Sequence, residues 1–313
     1  MSNTFQNGFA DSITVRGIPL SQAYPGEVFY VSNSSIPTKN GVAGADTSSS
    51  GSYNRPFATI DYAIGKCTAS RGDIIAVLPG YTQTMAAASA IALDVAGVAI
   101  VGLGAGTLRP QLSYTDTAAT VVISAANCAV IGLEFVAAVA NAVTAVSVTA
   151  AGTGASFENC LFTESANNLN WLACVTLTTL AHDQSFRNCT FLSNDEFLAS
   201  FITGAVHDRL HIEDCRFYCN ATQDTVTALV VGSDVTSGLI KNCSFQSANE
   251  PAKFIGFSGT CTGIMRDCAF SSLDTAGAIE DGFVNSGFLA LNCWVSGEAN
   301  GWGILGGGDA VYS

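Results

Sequence analysis

Phe157-Glu158-Asn159-Cys160-Leu161-Phe162 decides how this sequence is read, because the pattern returns four times downstream. The copies are Phe186-Arg187-Asn188-Cys189-Thr190-Phe191, Ile212-Glu213-Asp214-Cys215-Arg216-Phe217, Ile240-Lys241-Asn242-Cys243-Ser244-Phe245 and Met265-Arg266-Asp267-Cys268-Ala269-Phe270. Weaker copies flank them: Val130-Ile131-Gly132-Leu133-Glu134-Phe135, with Leu in place of Cys, and Ala290-Leu291-Asn292-Cys293-Trp294-Val295. Successive cysteines from Cys160 to Cys293 are 29, 26, 28, 25 and 25 residues apart. A drifting period of this size predicts a solenoid whose coils differ in loop length.

The position before Cys, or before the Leu that replaces it, is filled by Gly102, Gly132, Asn159, Asn188, Asp214, Asn242, Asp267 and Asn292. Gly, Asn and Asp are the residues that tolerate a left-handed backbone, so this position is a sharp bend. Around it, the large apolar residue three before Cys, the Cys itself and the Phe two after it face inward, and the residues between face out. Stacked coils then form inner ladders: Cys160, Cys189, Cys215, Cys243 and Cys268, and beside them Phe162, Phe191, Phe217, Phe245 and Phe270. The fold class is all-β, a single-stranded parallel β-helix.

The chain has 313 residues, 48% of them apolar and only 12% charged, against about 25% charged in an ordinary soluble domain, so it can bury a large core. A net charge of −13 with 12 Lys and Arg argues against a basic patch for nucleic acid or an anionic membrane. The first residues lack the basic flank and apolar run of a secretory signal. The uncharged stretch from Phe135 to Phe157 carries Asn141, Thr144, Ser147 and Thr149 and reads as strand, loop and strand rather than a membrane span. The repeat accounts for five or six of the 11 cysteines as small inward side chains, and an odd number suggests a reducing compartment. His207, His211, Cys215 and Cys219 are spaced as zinc ligands would be on a helix, but the repeat makes this segment a strand, on which they do not converge. No metal and no cofactor is predicted.

Three regions follow: an N-terminal arm over 1–30, a loop and capping helix over 31–72, and a parallel β-helix of about nine coils over 73–313, a rod of about 43 Å at ~4.8 Å per coil. Within the arm, Ile13 to Leu20 can form a strand. Thr59 is placed as the N-cap of the helix, with Asp61 in its first turn and Ile60, Ala63, Ile64 and Cys67 at helical spacing. The glycine-rich end, Gly301-Trp302-Gly303-Ile304-Leu305, offers one last strand, covered by Trp302 or by another chain.

Arg55-Pro56-Phe57-Ala58-Thr59-Ile60-Asp61-Tyr62-Ala63-Ile64, followed by Gly72-Asp73-Ile74-Ile75-Ala76-Val77-Leu78-Pro79-Gly80-Tyr81, resembles the start of pectate-lyase-like right-handed β-helix proteins. With its arm, the segment resembles β-helix proteins of tailed-bacteriophage virions. The resemblance implies a right-handed coil. The lyase branch's calcium-binding aspartates and arginine-containing catalytic motif have no match here.

Columns of outward residues give little chemistry. The column two before Cys, Glu158, Arg187, Glu213, Lys241 and Arg266, reads as a salt-bridge ladder. Asp195, Glu196, Asp224, Glu250 and Asp274 fall six to nine residues after their cysteines and mark a possible glycan or calcium edge, with solvated loop tips as the bland reading. Charge-free windows contain the remaining strand of each coil, and Ala145, Ser147, Ala173, Val175, Ala228, Val230, Ile255 and Phe257 are assigned to a wall that meets other copies, favouring a trimer. The expectation from these readings is a non-enzymatic, trimeric capsid decoration protein of a tailed phage, made in the host cytoplasm, carried in the virion and bound to the major capsid protein or another virion protein, with no catalytic residue. The alternatives are a short tailspike or depolymerase acting on host surface glycan, and a glycan-binding module without cleavage.

Overall fold

A computed structural model describes residues 14–15, 18–19, 26–33, 43–193, 200–220, 229–247, 254–272, 283–284, 288–297 and 301–305. Three sheets run along a solenoid. The first has ten strands, from Val28–Val31 to Phe288–Leu291; the second has ten, from Thr82–Met85 to Gly301–Leu305; the third has eight, from Ile91–Leu93 to Phe283–Val284. Within these sheets every described pairing is parallel except the last of the second sheet, where Gly301–Leu305 turns back antiparallel on Cys293–Gly297. That returning strand covers the otherwise open edge of the final coil.

The repeat stacks in register. Val130, Phe157, Phe186, Ile212, Ile240, Met265 and Ala290 are successive partners in the first sheet, and Phe135, Phe162, Phe191, Phe217, Phe245 and Phe270 in the second. The six phenylalanine rings of the second file lie with centroids 4.6 to 4.8 Å apart and planes within 11°. Their spacing is the strand spacing of a sheet, so backbone hydrogen bonding sets the stack. Cys160, Cys189, Cys215, Cys243, Cys268 and Cys293 form the buried file between these two. Each thiol faces two carbonyls: Cys215 Sγ is 3.2 Å from Glu213 O in its own coil and 3.6 Å from Phe186 O in the coil before, and the other five repeat this pattern. A small side chain with a weak donor suits an interior corner where carbonyls point inward.

Gly132, Asn159, Asn188, Asp214, Asn242 and Asp267 all have φ between 50° and 71°, the left-handed bend that joins the first sheet to the second. A second left-handed file, not signalled by the repeat, joins the third sheet to the first: Asn127, Gly154, Asp183, Arg209 and Ser237, with φ between 54° and 75°. The chemistry of this file varies from coil to coil, so no motif exposes it.

The capping helix is short. It spans Ile60–Ile64, with Thr59 Oγ1 accepting from Tyr62 N at 3.3 Å, and stops at Gly65, so Cys67 lies beyond it. Asp73, fully buried, ties this end together: it accepts from Glu27 N, Thr68 N and both Nε and Nη2 of Arg71. Val28–Val31 pairs with Ile74–Val77, so the strand begins inside the span assigned to the arm. Thr14–Val15 and Ile18–Pro19 make a separate antiparallel pair.

The proposed contact wall needs correcting. Ala145, Val175, Val230, Ile255 and Phe257 belong to the hydrophobic core of the chain itself, and Ala173 is 5% exposed. In the third sheet Val121, Val146, Val175, Ile202, Val230 and Ile255 are register partners on the inner side. The outward partners include Val122, Ser147, Thr176, Thr203 and Gly256. Of the residues assigned to the wall, Ser147 faces out, and Ala228 lies outside the described residues. The assignment failed because both faces of these strands are small or apolar, and period alone does not say which is inner.

Candidate functional site

The outward-facing bend residues form a polar file along one edge of the rod. Asn242 Nδ2 donates to Asp214 Oδ1 at 2.6 Å, and Asn292 Nδ2 donates to Asp267 Oδ1 at 2.7 Å. The alternation Asp-Asn-Asp-Asn avoids stacking like charges on adjacent coils, which the sheet spacing would otherwise bring within ~5 Å. It also sets the two carboxylates two coils apart, about 9.6 Å between main chains.

Beside this file runs the first outward column of the second sheet: Gln111, Glu134, Leu161, Thr190, Arg216, Ser244, Ala269 and Trp294. Arg216 and Trp294 are large and exposed, Trp294 at 53%, while the two positions between them are small. The surface therefore sinks between an arginine and an indole over three coil spacings, about 14 Å. Two hollows result. One, of about 390 Å³, is lined by Asn188, Asp214, Arg216, Asn242, Asp267 and neighbours. The other, of about 330 Å³, is lined by Gln246, Phe270, Ser271, Trp294 and Ser296, and the two share Ser244 and Ala269, making one groove. Arg216 is exposed and makes no ion pair among the described residues.

Toward the N-terminal end the two-residue bend is replaced by a longer loop with a 3-10 turn at Gly106–Leu108. Arg109 at its end donates from Nη1 to Asn159 O at 2.5 Å and from Nη2 to Asn159 Oδ1 at 3.3 Å. Glu134 lies in the same outward column; partial burial raises its pKa, and the charge of Arg109 offsets part of that rise.

Other predicted positions fall elsewhere. Asp195, Glu196, Asp224, Glu250 and Asp274 lie outside the described residues. In the charged column, Arg187 and Glu213 approach to 3.6 Å, while Arg266 turns to Asp267 at 4.0 Å; these are the ion pairs that column makes among the described residues. His207, His211, Cys215 and Cys219 sit at different stations around the coil: His207 in a short strand before the first sheet, His211 facing out of that sheet, Cys215 in the interior file, and Cys219 buried in the second sheet. Among the described residues no group of three or more His, Cys, Asp or Glu could hold a metal ion.

With the fold and groove established, comparison with solved structures is informative. A rhamnogalacturonan lyase superposes with a TM-score of 0.54 at 13% identity, over 85% of this chain and 73% of that one. The chain is a right-handed parallel β-helix. A pectin methylesterase in complex with a hexasaccharide is similar over 82% of this chain and 89% of that one, at 12% identity and a TM-score of 0.40. No protein-family model matches the sequence, and no curated protein matches it.

The expectation of a non-enzymatic decoration protein is thereby overturned. The structure on which the rod superposes is named a rhamnogalacturonan lyase, an enzyme, and this chain has a groove lined by two carboxylates. At this identity the likeness carries the fold, and the activity has to be argued from the groove. Asp214 and Asp267 enter the sequence reading as bends, and Arg216 and Trp294 only as members of repeat copies, so the motif itself does not mark the groove. The sequence signal was a pair of large residues enclosing Ser244 and Ala269, visible once columns are compared rather than motifs.

Proposed function

We propose that this chain is a polysaccharide depolymerase that binds glycan in the groove between Arg216 and Trp294 and hydrolyses it between Asp214 and Asp267. The observation that carries the reading is the conjunction, in one groove, of an exposed indole, an exposed guanidinium and two carboxylates on a polar file. An indole offers a flat apolar surface to a sugar ring, and guanidinium, amide and carboxylate groups bond its hydroxyls.

The spacing selects the chemistry. Two carboxyl groups about 6.5–9.5 Å apart leave room for a water, which is the inverting arrangement; the main chains of Asp214 and Asp267, about 9.6 Å apart, lie just above that range and far from the ~5 Å of a retaining pair. Asp267, with Asn292 on Oδ1 and Arg266 4.0 Å from Oδ2, takes the proton of the attacking water. Asp214, whose Oδ1 accepts from Asn242 Nδ2, gives a proton from its other oxygen to the leaving glycosidic oxygen. The water oxygen bonds to the anomeric carbon as the glycosidic bond breaks, yielding two shorter glycans with no cofactor. Host-surface polysaccharide, as a short phage tailspike would meet it, is the first substrate source to try.

The test is incubation of the purified chain with bacterial capsule and lipopolysaccharide polysaccharides, following reducing ends and the anomeric configuration of the first product by NMR. Release with inversion, falling at least ~10²-fold in Asp214→Asn and Asp267→Asn, supports the reading. Binding without release makes the chain a glycan-binding module, and release that survives both substitutions removes the catalytic assignment.

A further inference from the structure

The two halves of the groove differ in chemistry, and that difference points to the kind of sugar it takes. The half at the bends is lined by Asn188, Asp214, Arg216, Asn242 and Asp267, all polar. The half on the sheet has Ala269 at its floor and Trp294 at its end, with Ser244, Gln246, Ser271 and Ser296 around it, the Phe270 ring being turned inward to the core. Trp294 continues an apolar surface across the bend, where Leu291, Leu289 and Ile264 are each 40 to 42% exposed. Ile264 and Leu289 are register partners, as are Arg266 and Leu291, so these side chains share one face and adjoin the groove's C-terminal end.

We propose, building on the glycan reading of this groove, that its ligand is a polysaccharide whose repeating unit carries a small apolar substituent, an acetyl group or the methyl of a 6-deoxy sugar, seated over Ala269 against Trp294. Hydroxyl groups alone do not account for this half of the groove. A bare hydroxyl placed over Ala269 against the indole would give up water for carbon, which costs free energy unless a partner replaces the lost hydrogen bonds. A methyl group in the same place gains from leaving water, and the indole covers it on one side. The depth of the seat depends on a single side chain: position 269 is occupied by Ala, whereas the same column holds Arg216, Thr190 and Leu161 in earlier coils. The polar half then holds the substituted sugar's hydroxyls or an acidic group against Arg216.

The experiment uses the full chain and matched pairs of polysaccharides: acetylated capsule glycans and the same glycans after saponification, together with 6-deoxy-sugar lipopolysaccharide chains and hexose chains without the deoxy position. Affinity is read by glycan array and by calorimetry. Loss of one buried methyl corresponds to about a fourfold weakening at about 0.8 kcal/mol, and an acetyl group that also bonds Gln246 or a serine to more. Ala269→Leu fills the seat. Because position 269 is solvent-exposed, this variant keeps the core intact, and it is expected to bind substituted and unsubstituted glycans alike. Equal affinity of wild type for both members of each pair, or a preference that survives Ala269→Leu, overturns the substituent proposal while leaving glycan binding standing. Failure to bind any glycan overturns the glycan reading itself, and this proposal with it.

Discussion

Replacing Asp73 by Asn should weaken the N-terminal end of the rod in a pH-dependent way. Burial alone would raise the pKa of this carboxyl; the Arg71 guanidinium and the N–H groups of Thr68 and Glu27 more than offset that and bring it from 3.8 to about 2. A depression of that size corresponds to about 2.5 kcal/mol of folding stability. Since the folded pKa lies below the unfolded one, the contribution is complete above pH ~4 and is lost as pH falls through 3.8 to 2. Asn keeps an acceptor for one main-chain N–H but gives up the charge that Arg71 grips. Urea denaturation of wild type and D73N from pH 7 to pH 2.5 should show a gap of about 2.5 kcal/mol that closes below pH 4. In a solenoid, neighbouring coils hold one another, so hydrogen exchange should show the loss first in Ile60–Ile64 and Ile74–Val77. A gap below ~0.5 kcal/mol at pH 7, or one that does not change with pH, would refute the account of Asp73 as an ionised tie.

Three further outcomes can be checked. Phe217→Ala removes a ring stacked 4.7 Å from Phe191 and 4.6 Å from Phe245, and should cost about 3–5 kcal/mol in chemical denaturation; a loss under ~1 would mean the coil can collapse around the gap. Burial lowers the pKa of His207, whose Nδ1 bonds Ala181 O, from 6.5, so wild-type stability should fall as pH drops below 6.5, by at most ~1.4 kcal/mol per pH unit, and H207N should flatten that slope. Asn242→Ala leaves Asp214 Oδ1 without its 2.6 Å donor, and should lower depolymerase kcat more than KM while leaving the thermal midpoint within a few degrees, because the bond lies on the exposed edge; equal effects on kcat and KM would speak against a positioning role.

Much of the fold was legible because the repeat records the same local decision several times. Asn159, Asn188, Asp214, Asn242 and Asp267 each sit where only a few residue types accept a left-handed backbone, and the Cys and Phe positions beside them must be inward once that bend is fixed. Repetition turns a weak preference into a definite one. The second bend, at Asn127, Gly154, Asp183, Arg209 and Ser237, was not legible because its occupants share no residue type, and Arg209 is held there by an ion pair with Asp183 of the preceding coil and another with Asp208 beside it.

The sequence by itself determined the period, the corner residues, the inner Cys and Phe files and the all-β class, since these follow from backbone preference and the alternation of a strand. Only the tertiary structure decided which side of the third sheet is the inside, and that Asp214, Arg216, Asp267 and Trp294 share one groove. The physical reason is that sidedness and grooves arise from how successive coils are laid over one another. Residues some 25 to 29 positions apart become neighbours through sheet hydrogen bonds, and a hollow exists where two small side chains fall between two large ones.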